Sequence, residues 1–430
     1  MIVHKARLCL KTEGEIAMSA RAGIIWSTLL IMAAILSLVF IFFTLLPGQI
    51  PAAVWQYFTP AEVERARRYQ QIMGLVAILA FLAKTAFLVW LVYSTRSGAW
   101  SERVLRLTGG RYYPALLVYF CLIWLLLKAI GLPFNFYGSF IVQHQWGLAT
   151  QSLASWWSDY LKGSLLDLVL SGAGVLLLFW ATGRWPRTWW VAAGLFLSAW
   201  LFISTFIWPL IIAPIFNRFQ PVTAGPIKTM VTRLANRAGL KIDQILIMDA
   251  SRRTTTANAY FTGLGTTKRI VLYDTLVDNY PSDEVEAVIA HEIAHWQRGH
   301  IIRGSLWGIL ANFFLTGLLY AVLRVTFTYE ITRPGPYPPQ ILIVMLLFLQ
   351  LVSFLGQPIQ NAISRSYETE ADRVALELTG NPGAMIRLQV DLARKNLADV
   401  APPAFIEWLT YSHPATLERI RAAEAYPRGQ

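Results

Sequence analysis

Apolar runs alternate with short polar ones along most of the chain, and seven of the apolar runs approach the roughly 20 residues that a helix needs to cross a hydrocarbon core. They cover Ile24 to Leu46, Ile72 to Tyr93, Pro114 to Leu132, Leu165 to Thr182, Trp189 to Ile211, Ser305 to Leu323 and Ile341 to Leu355, the last being the shortest. Long polar sequence is confined to two pieces, Asn217 to Arg303 and Gln357 to Gln430. Two spans separate these pieces, so crossing out and back returns the chain to one membrane face. The two polar pieces can therefore meet and build one site, even if one of the earlier spans is misread.

Inside the first polar piece the pattern changes from helical to strand-like. Pro226 to Gly239 carries apolar residues at helical spacing, and Ile245 to Met248 reads as a short buried strand. Two more strand-like runs, Ala257 to Phe261 and Arg269 to Tyr273, flank a Gly263–Gly265 turn. A helix is predicted from Ser282, read as its N-cap, to Gly299, with Asp283 and Glu284 in the first turn where the helix dipole favours acids. Thr332 to Gln340, with four prolines, reads as a stiff connection between the last two spans.

Composition agrees with a membrane protein: 55% of residues are hydrophobic, only 14% are charged, and the mean hydropathy is +0.46. The 17 Trp and 17 Tyr suit either membrane interfaces or the core, Trp185, Trp189 and Trp190 being candidates for the interface. The first span follows basic residues but is too long for a signal h-region and has no small-residue cleavage site after it. It reads as a retained helix. Residues before Met18 are polar and unpatterned, so Met18 is a candidate start and 1–22 a polar leader. The two cysteines, Cys9 and Cys121, offer neither a disulfide framework nor a Cys-based metal site. A net charge of +12 is spread through inter-helix loops, which fits contact with anionic lipid and not nucleic acid.

The predicted helix from Ser282 contains His291-Glu292-Ile293-Ala294-His295. A four-residue step puts both imidazoles on one helix face, a turn apart, as two zinc ligands require, with Glu292 beside them as a candidate base. A catalytic zinc takes a third protein ligand and keeps a position open. After the last span, Glu368 and Asp372 share a helix face at i, i+4: Glu368 fits a third ligand and Asp372 an acceptor for a ligand imidazole N–H. Spacing alone equally allows a solvated acidic edge paired with Arg365 and Arg373. His300 falls at the wrong spacing for a three-histidine motif. On a continued helix it points about 140° from His295, which reads as a helix-end or interfacial residue.

With these residues in view, the chain resembles the CAAX prenyl protease 1 family, integral-membrane zinc endopeptidases with seven transmembrane helices around a chamber. The resemblance runs through Pro214-Ile215-Phe216-Asn217, Met248 to Arg253, Asn258 to Gly265, Lys268 to Leu276 and the zinc helix, with Gln145 to Leu148, Asp159, Lys162 and Ser412-His413-Pro414. It implies one Zn2+ per chain held by His291, His295 and Glu368, Glu292 as general base, and Asp372 behind a ligand histidine. It also implies that Asn258, Ala259, Tyr260 and Phe261 pair with the substrate backbone. His413 is similar to a family histidine near the active site, and physically could donate to the tetrahedral oxyanion or orient Asp372; a surface histidine is the alternative. Thr254 to Ala257 stands where the family tends to carry serines, and Ala415 where a second proline is common, which touches substrate preference and no ligand.

The expected fold is mainly α: about seven transmembrane helices enclosing a chamber and a metallopeptidase domain with a small β-sheet. The expected division is 23–211, five transmembrane helices, and 212–430, the metallopeptidase domain with two more (about 305–323 and 341–355). Lys84, Lys128 and Asp167 lie within spans, are costly against lipid, and are expected to face the chamber or its rim. The expected activity is hydrolysis of a peptide bond in a peptide or protein substrate, lipidated or not, by zinc-activated water; the resemblance implies release of a C-terminal tripeptide from prenylated proteins. The alternatives are an HtpX-like quality-control protease, which typically has fewer spans, and a transporter with a structural zinc, which has no use for Glu292. Loop Lys and Arg are nearly balanced across the membrane and give no orientation; the resemblance implies a zinc domain on the cytoplasmic side, and the compact chain suggests a bacterial inner membrane.

Overall fold

The structure is a computed structural model that describes residues 20–263, 268–327 and 335–427. The predicted leader ahead of Ala20, the Leu264–Gly265 part of the predicted turn and the Thr332–Pro334 part of the predicted connection lie outside them.

Every predicted span is a helix, most of them longer than their apolar core. They are α1 (Ala20–Leu45), α2 (Pro60–Tyr93), α4 (Tyr112–Phe136), α5 (Leu153–Arg184), α6 (Trp189–Ile207), α9 (His300–Thr326) and α10 (Ile341–Thr379). Six are long and apolar enough by themselves to cross a membrane. The fifth predicted span is broken: the chain bends by 46° between Trp189–Thr205 and Trp208–Phe216, and the two pieces qualify only together. Pro209 sits just past the break, in the wide π-type turn Trp208–Ile212, and a proline that lacks its N–H accounts for the lost register. A short helix absent from the prediction, α3 (Arg96–Leu107), lies between α2 and α4. α2 starts sharply because Thr59 and Glu62 form a reciprocal capping box.

The membrane helices pack around Trp26, Tyr119, Phe179, Trp189 and Phe348, and large side chains such as Ile31, Phe42, Leu310 and Phe314 face outward. Trp189 is thus a core residue and not an interfacial one; its indole donates to the Tyr337 hydroxyl at 2.9 Å. Within this layer Lys128 and Asp167 neutralise each other at 2.8 Å, with Trp124 Nε1 also donating to Asp167 at 3.0 Å.

The polar pieces form one domain. A four-stranded sheet has the order β1-β2-β4-β3, from Phe219–Pro221, Gln244–Met248, Ala259–Thr262 and Arg269–Tyr273 in chain order. β2 and β4 are parallel, with Leu246 opposite Val271; β3 runs antiparallel to β4, with Tyr260 opposite Val271. β3 thereby becomes an edge strand. α7 (Pro226–Arg237) and α8 (Ser282–Gln297) cover the sheet, and α11 (Pro382–Asn396), α12 (Ala404–Thr410) and α13 (Thr416–Glu424) close the domain.

Candidate active site

α8 forms because its apolar residues recur with helical period: Val285, Ile289 and Ile293, with Ala287, Ala290 and Ala294, bury into the core shared with the sheet and α10. Each fully buried isoleucine stabilises this packing by about 1.5–3 kcal/mol. Pro281, not Ser282, is the residue at the cap, and Ser282 is already helical with no side-chain cap bond. Its other face carries His291 and His295, whose Nε2 atoms lie 3.0 Å apart. The helix stops at Gln297, and Gly299 adopts φ +65°, so the chain reverses into α9 at once.

Glu368 reaches the same point from α10. The last predicted span is not a short one followed by a separate tail helix: α10 runs unbroken for 39 residues from the apolar core past Glu368 and Asp372. Glu368 oxygens stand 3.2 Å from His291 Nε2 and 3.4 Å from His295 Nε2. One donor atom from each of the three residues lies within 4.8 Å of the other two. The two polar pieces meet, as an even number of crossings requires.

Asp372 lies one turn further along α10 and its Oδ1 is 2.8 Å from His291 Nδ1. It is held in turn by Arg419 of α13, whose Nε and Nη2 donate to the two carboxylate oxygens at 2.7 and 2.6 Å. The alternative pairing of these acids with Arg365 and Arg373 is not found: Arg365 donates to the Glu407 and Tyr411 carbonyls, and Arg373 pairs with Glu377. Burial alone favours neutral His291, but Asp372 and Glu368 outweigh it and hold its pKa up at about 10.

Of the two sequence readings, helix end or interface, His300 is at a helix end: it is the first residue of α9. It does not point 140° away from His295, because α8 ends before it and the turn at Gly299 brings His300 Nδ1 to 2.9 Å from His295 Nδ1. With Nδ1 of His291 facing a carboxylate and Nδ1 of His295 facing His300, both Nε2 atoms turn to Glu368, and the carboxylates hold an extra proton on His291 where no cation stands. A cation among these converging donors would take the place of that proton, so the residues present fit a metal.

Glu292 lies against β3: burial pushes its carboxyl up from the usual value, opposed by the two imidazoles and by a hydrogen bond from the Phe261 backbone N–H. β3 begins at Ala259, so the predicted start at Ala257 is two residues early, and Asn258 precedes the strand, its side chain accepting from Ala259 N–H. Asn258 and Ala259 border a cavity of about 480 Å³ together with His291, Glu292, His413 and Arg419. Leu276, Val288, Met385, Leu388 and Leu392 give that cavity an apolar lining.

His413 Nε2 stands 3.2 Å from Glu368, and its Nδ1 is 2.9 Å from Ser412 Oγ. It does not orient Asp372, which Arg419 holds. An arginine crosslink to which the sequence assigns no role lies next to Thr254 of the cavity lining. Arg253 donates to Asp159 of α5 at 2.8 Å and to Asn217 at 3.0 Å. Thr254 and Thr255 donate to the Leu148 and Gly147 carbonyls, so the Gln145–Leu148 segment is tied to the chain that leads into β3.

Comparison with known proteins agrees with this geometry. Residues 221–426 match Peptidase family M48, and residues 43–218 match the CAAX prenyl protease N-terminal region, described as five membrane helices. CAAX prenyl protease 1 of Saccharomyces cerevisiae is 32% identical over 69% of this chain and 69% of its own length. An uncharacterized metalloprotease of Bacillus subtilis, YhfN, is 31% identical over 70% of this chain and 71% of its own. The crystal structure of S. mikatae Ste24p superposes with a TM-score of 0.81 at 26% identity, covering 95% of this chain and all of that one. Fold, site and relatives together place the chain in the CAAX prenyl protease 1 branch of Peptidase family M48, as an integral-membrane metalloprotease.

Proposed function

We propose that the chain is a zinc-dependent endopeptidase whose metal is held by His291, His295 and Glu368. The observation that carries this is the convergence of their three donor atoms within 4.8 Å, with Glu292 next to them. Zinc bound there supplies a Lewis acid that brings a water's pKa toward neutrality and polarises the scissile carbonyl. Glu292 takes the proton from the attacking water and passes it to the leaving amine. Asp372 orients His291 and Arg419 orients Asp372. His413, on the rim of the same cavity, donates a hydrogen bond to the oxyanion that forms on the carbonyl oxygen.

The edge strand β3, with Asn258 leading into Ala259, Tyr260 and Phe261, binds the substrate backbone in extended form. The cavity beside it, polar at the histidines and apolar along Leu276, Val288 and Leu388, takes a side chain next to the scissile bond. The substrate class is a protein with a lipidated C-terminus, a reading supported by the CAAX prenyl protease relatives and by a count of up to seven spans. A division near residue 212 into membrane and metallopeptidase domains is supported by family matches that meet between 218 and 221. The metallopeptidase domain faces the cytoplasm, and the membrane is a bacterial inner membrane.

The test is metal content and peptidase activity of the detergent-purified protein, wild type beside Glu292→Gln, on an unprenylated casein substrate and a prenylated peptide. Wild type should hold about one zinc and cleave, preferring the prenylated peptide, while Glu292→Gln keeps zinc and is inert. Zinc binding with equal inertness of both proteins on both substrates would sink the endopeptidase reading. Equal cleavage of the two substrates would remove lipid selectivity alone.

A further inference from the structure

The two histidines on α8 are backed in different ways. His291 Nδ1 meets a carboxylate directly, that of Asp372 at 2.8 Å. His295 Nδ1 meets another imidazole, that of His300 at 2.9 Å, and the far nitrogen of that ring, Nε2, lies 3.1 Å from Glu370 Oε2. An ionised carboxylate only accepts, so His300 Nε2 carries the hydrogen that it donates to Glu370. A neutral His300 then has a lone pair on Nδ1, and the short contact requires His295 Nδ1–H to donate to it. That leaves His295 Nε2 unprotonated and aimed at Glu368.

Three features hold the His300 ring in this pose. Its side chain is only 4% exposed. It stacks on Tyr367 with centroids 4.5 Å apart and planes 9° from parallel. Glu370 is anchored by Arg303 at 2.8 Å and Arg298 at 3.6 Å. Gly299 supplies the geometry: its left-handed φ of +65° turns the chain so that the residue five beyond His295 folds back onto it.

We propose that His300 is a positioning residue for the metal site, fixing the tautomer and ring plane of His295 through the chain His295–His300–Glu370. The proposal rests on the zinc reading above. A ring that merely fills space under Tyr367 would serve equally well without nitrogens; a positioning residue would not. A direct hydrogen-bond partner of a metal-ligating histidine is typically worth about 10–100-fold in metal affinity.

The experiment uses the full-length protein in detergent, stripped of metal, as wild type, His300→Phe, His300→Asn and Glu370→Gln. Zinc affinity is measured by competition with a chromophoric chelator, ligand geometry by the visible spectrum of cobalt(II) in place of zinc, and folding by thermal unfolding of the metal-free proteins. His300→Phe keeps the stacked ring and should lose about 10–100-fold in zinc affinity with an altered cobalt spectrum. His300→Asn, whose Oδ1 can accept from His295 Nδ1–H, should recover most of both. Glu370→Gln should fall between wild type and His300→Phe. Zinc affinity and cobalt spectrum of His300→Phe matching wild type would overturn the proposal, as would losses in His300→Phe and His300→Asn that simply track a lowered metal-free melting temperature. Wild type that binds no zinc at all is a different result, since it removes the metal reading itself.

Discussion

Arg419 donates through both Nε and Nη2 to the two oxygens of Asp372, at 2.7 and 2.6 Å, in a buried pair that stands directly behind His291. Two parallel bonds fix the carboxylate plane, which a point charge cannot do. Arg419→Met leaves Asp372 buried with an uncompensated charge, and the expected cost is about 3–5 kcal/mol of stability. Arg419→Lys should keep part of that stability and still lose metal affinity, because Asp372 is free to rotate. Thermal unfolding and chelator competition on the same two variants check this; a lysine variant that holds zinc like wild type refutes it.

The Asp159–Arg253 pair joins α5 to the segment that precedes the edge strand. Both side chains are largely buried, so they should be energetically coupled. A double-mutant cycle of Asp159→Asn and Arg253→Gln, read by thermal unfolding, is expected to give a coupling energy on the order of 1–3 kcal/mol. Additive effects would show that the crosslink carries no energy of its own.

Glu284, in the first turn of α8, is buried, and burial raises its carboxyl from the ordinary 4.5, helped by Asp391 and Asp283 and opposed by Arg387 and Lys395. The folded protein thus holds this proton more tightly than the unfolded chain does. The group costs nothing below the unfolded value, and its cost grows as pH rises from there through the folded value. Glu284→Gln should therefore raise the melting temperature at pH 7–8 and change it little near pH 4. A gain confined to acid pH reverses the sign and refutes the reading.

Gly299 meets nothing within 4 Å of an added Cβ, so substitution there is strained by backbone conformation alone. Gly299→Ala should cost about 1–2 kcal/mol, and Gly299→Asn, which tolerates the left-handed region, less. Equal melting temperatures for both variants would show that the turn adjusts without strain.

Hydropathy made the spans legible because each lies near the membrane's required length, and the even crossing number between the polar pieces predicted their meeting. The pair His291 and His295 was legible because both ligands sit on one helix with a fixed period. His300 stands at a helix end, as its spacing implies, and outside the donor cluster; its approach to His295 is not legible, because a helical period cannot be carried past Gly299, where the helix has already ended. Arg419 was not legible, because its partner Asp372 lies 47 positions away and nothing local marks it as buried. The Asp159–Arg253 crosslink spans 94 positions and was hidden for the same reason. Trp189, offered as an interfacial ring, shows that an aromatic at a span's end cannot be placed without knowing its neighbours.

α10 is one rod from Ile341 inside the apolar layer to Thr379, and Glu368 stands about 40 Å along it. His291 and His295 come from α8, which packs against both the sheet and α10 itself. Glu368 therefore belongs to the same helix as the last apolar span, and its place beside the two histidines is fixed by the packing of α8 on that helix. Excising the polar half as a soluble peptidase would cut through the helix that delivers Glu368, so anchor and active site are one piece of chain.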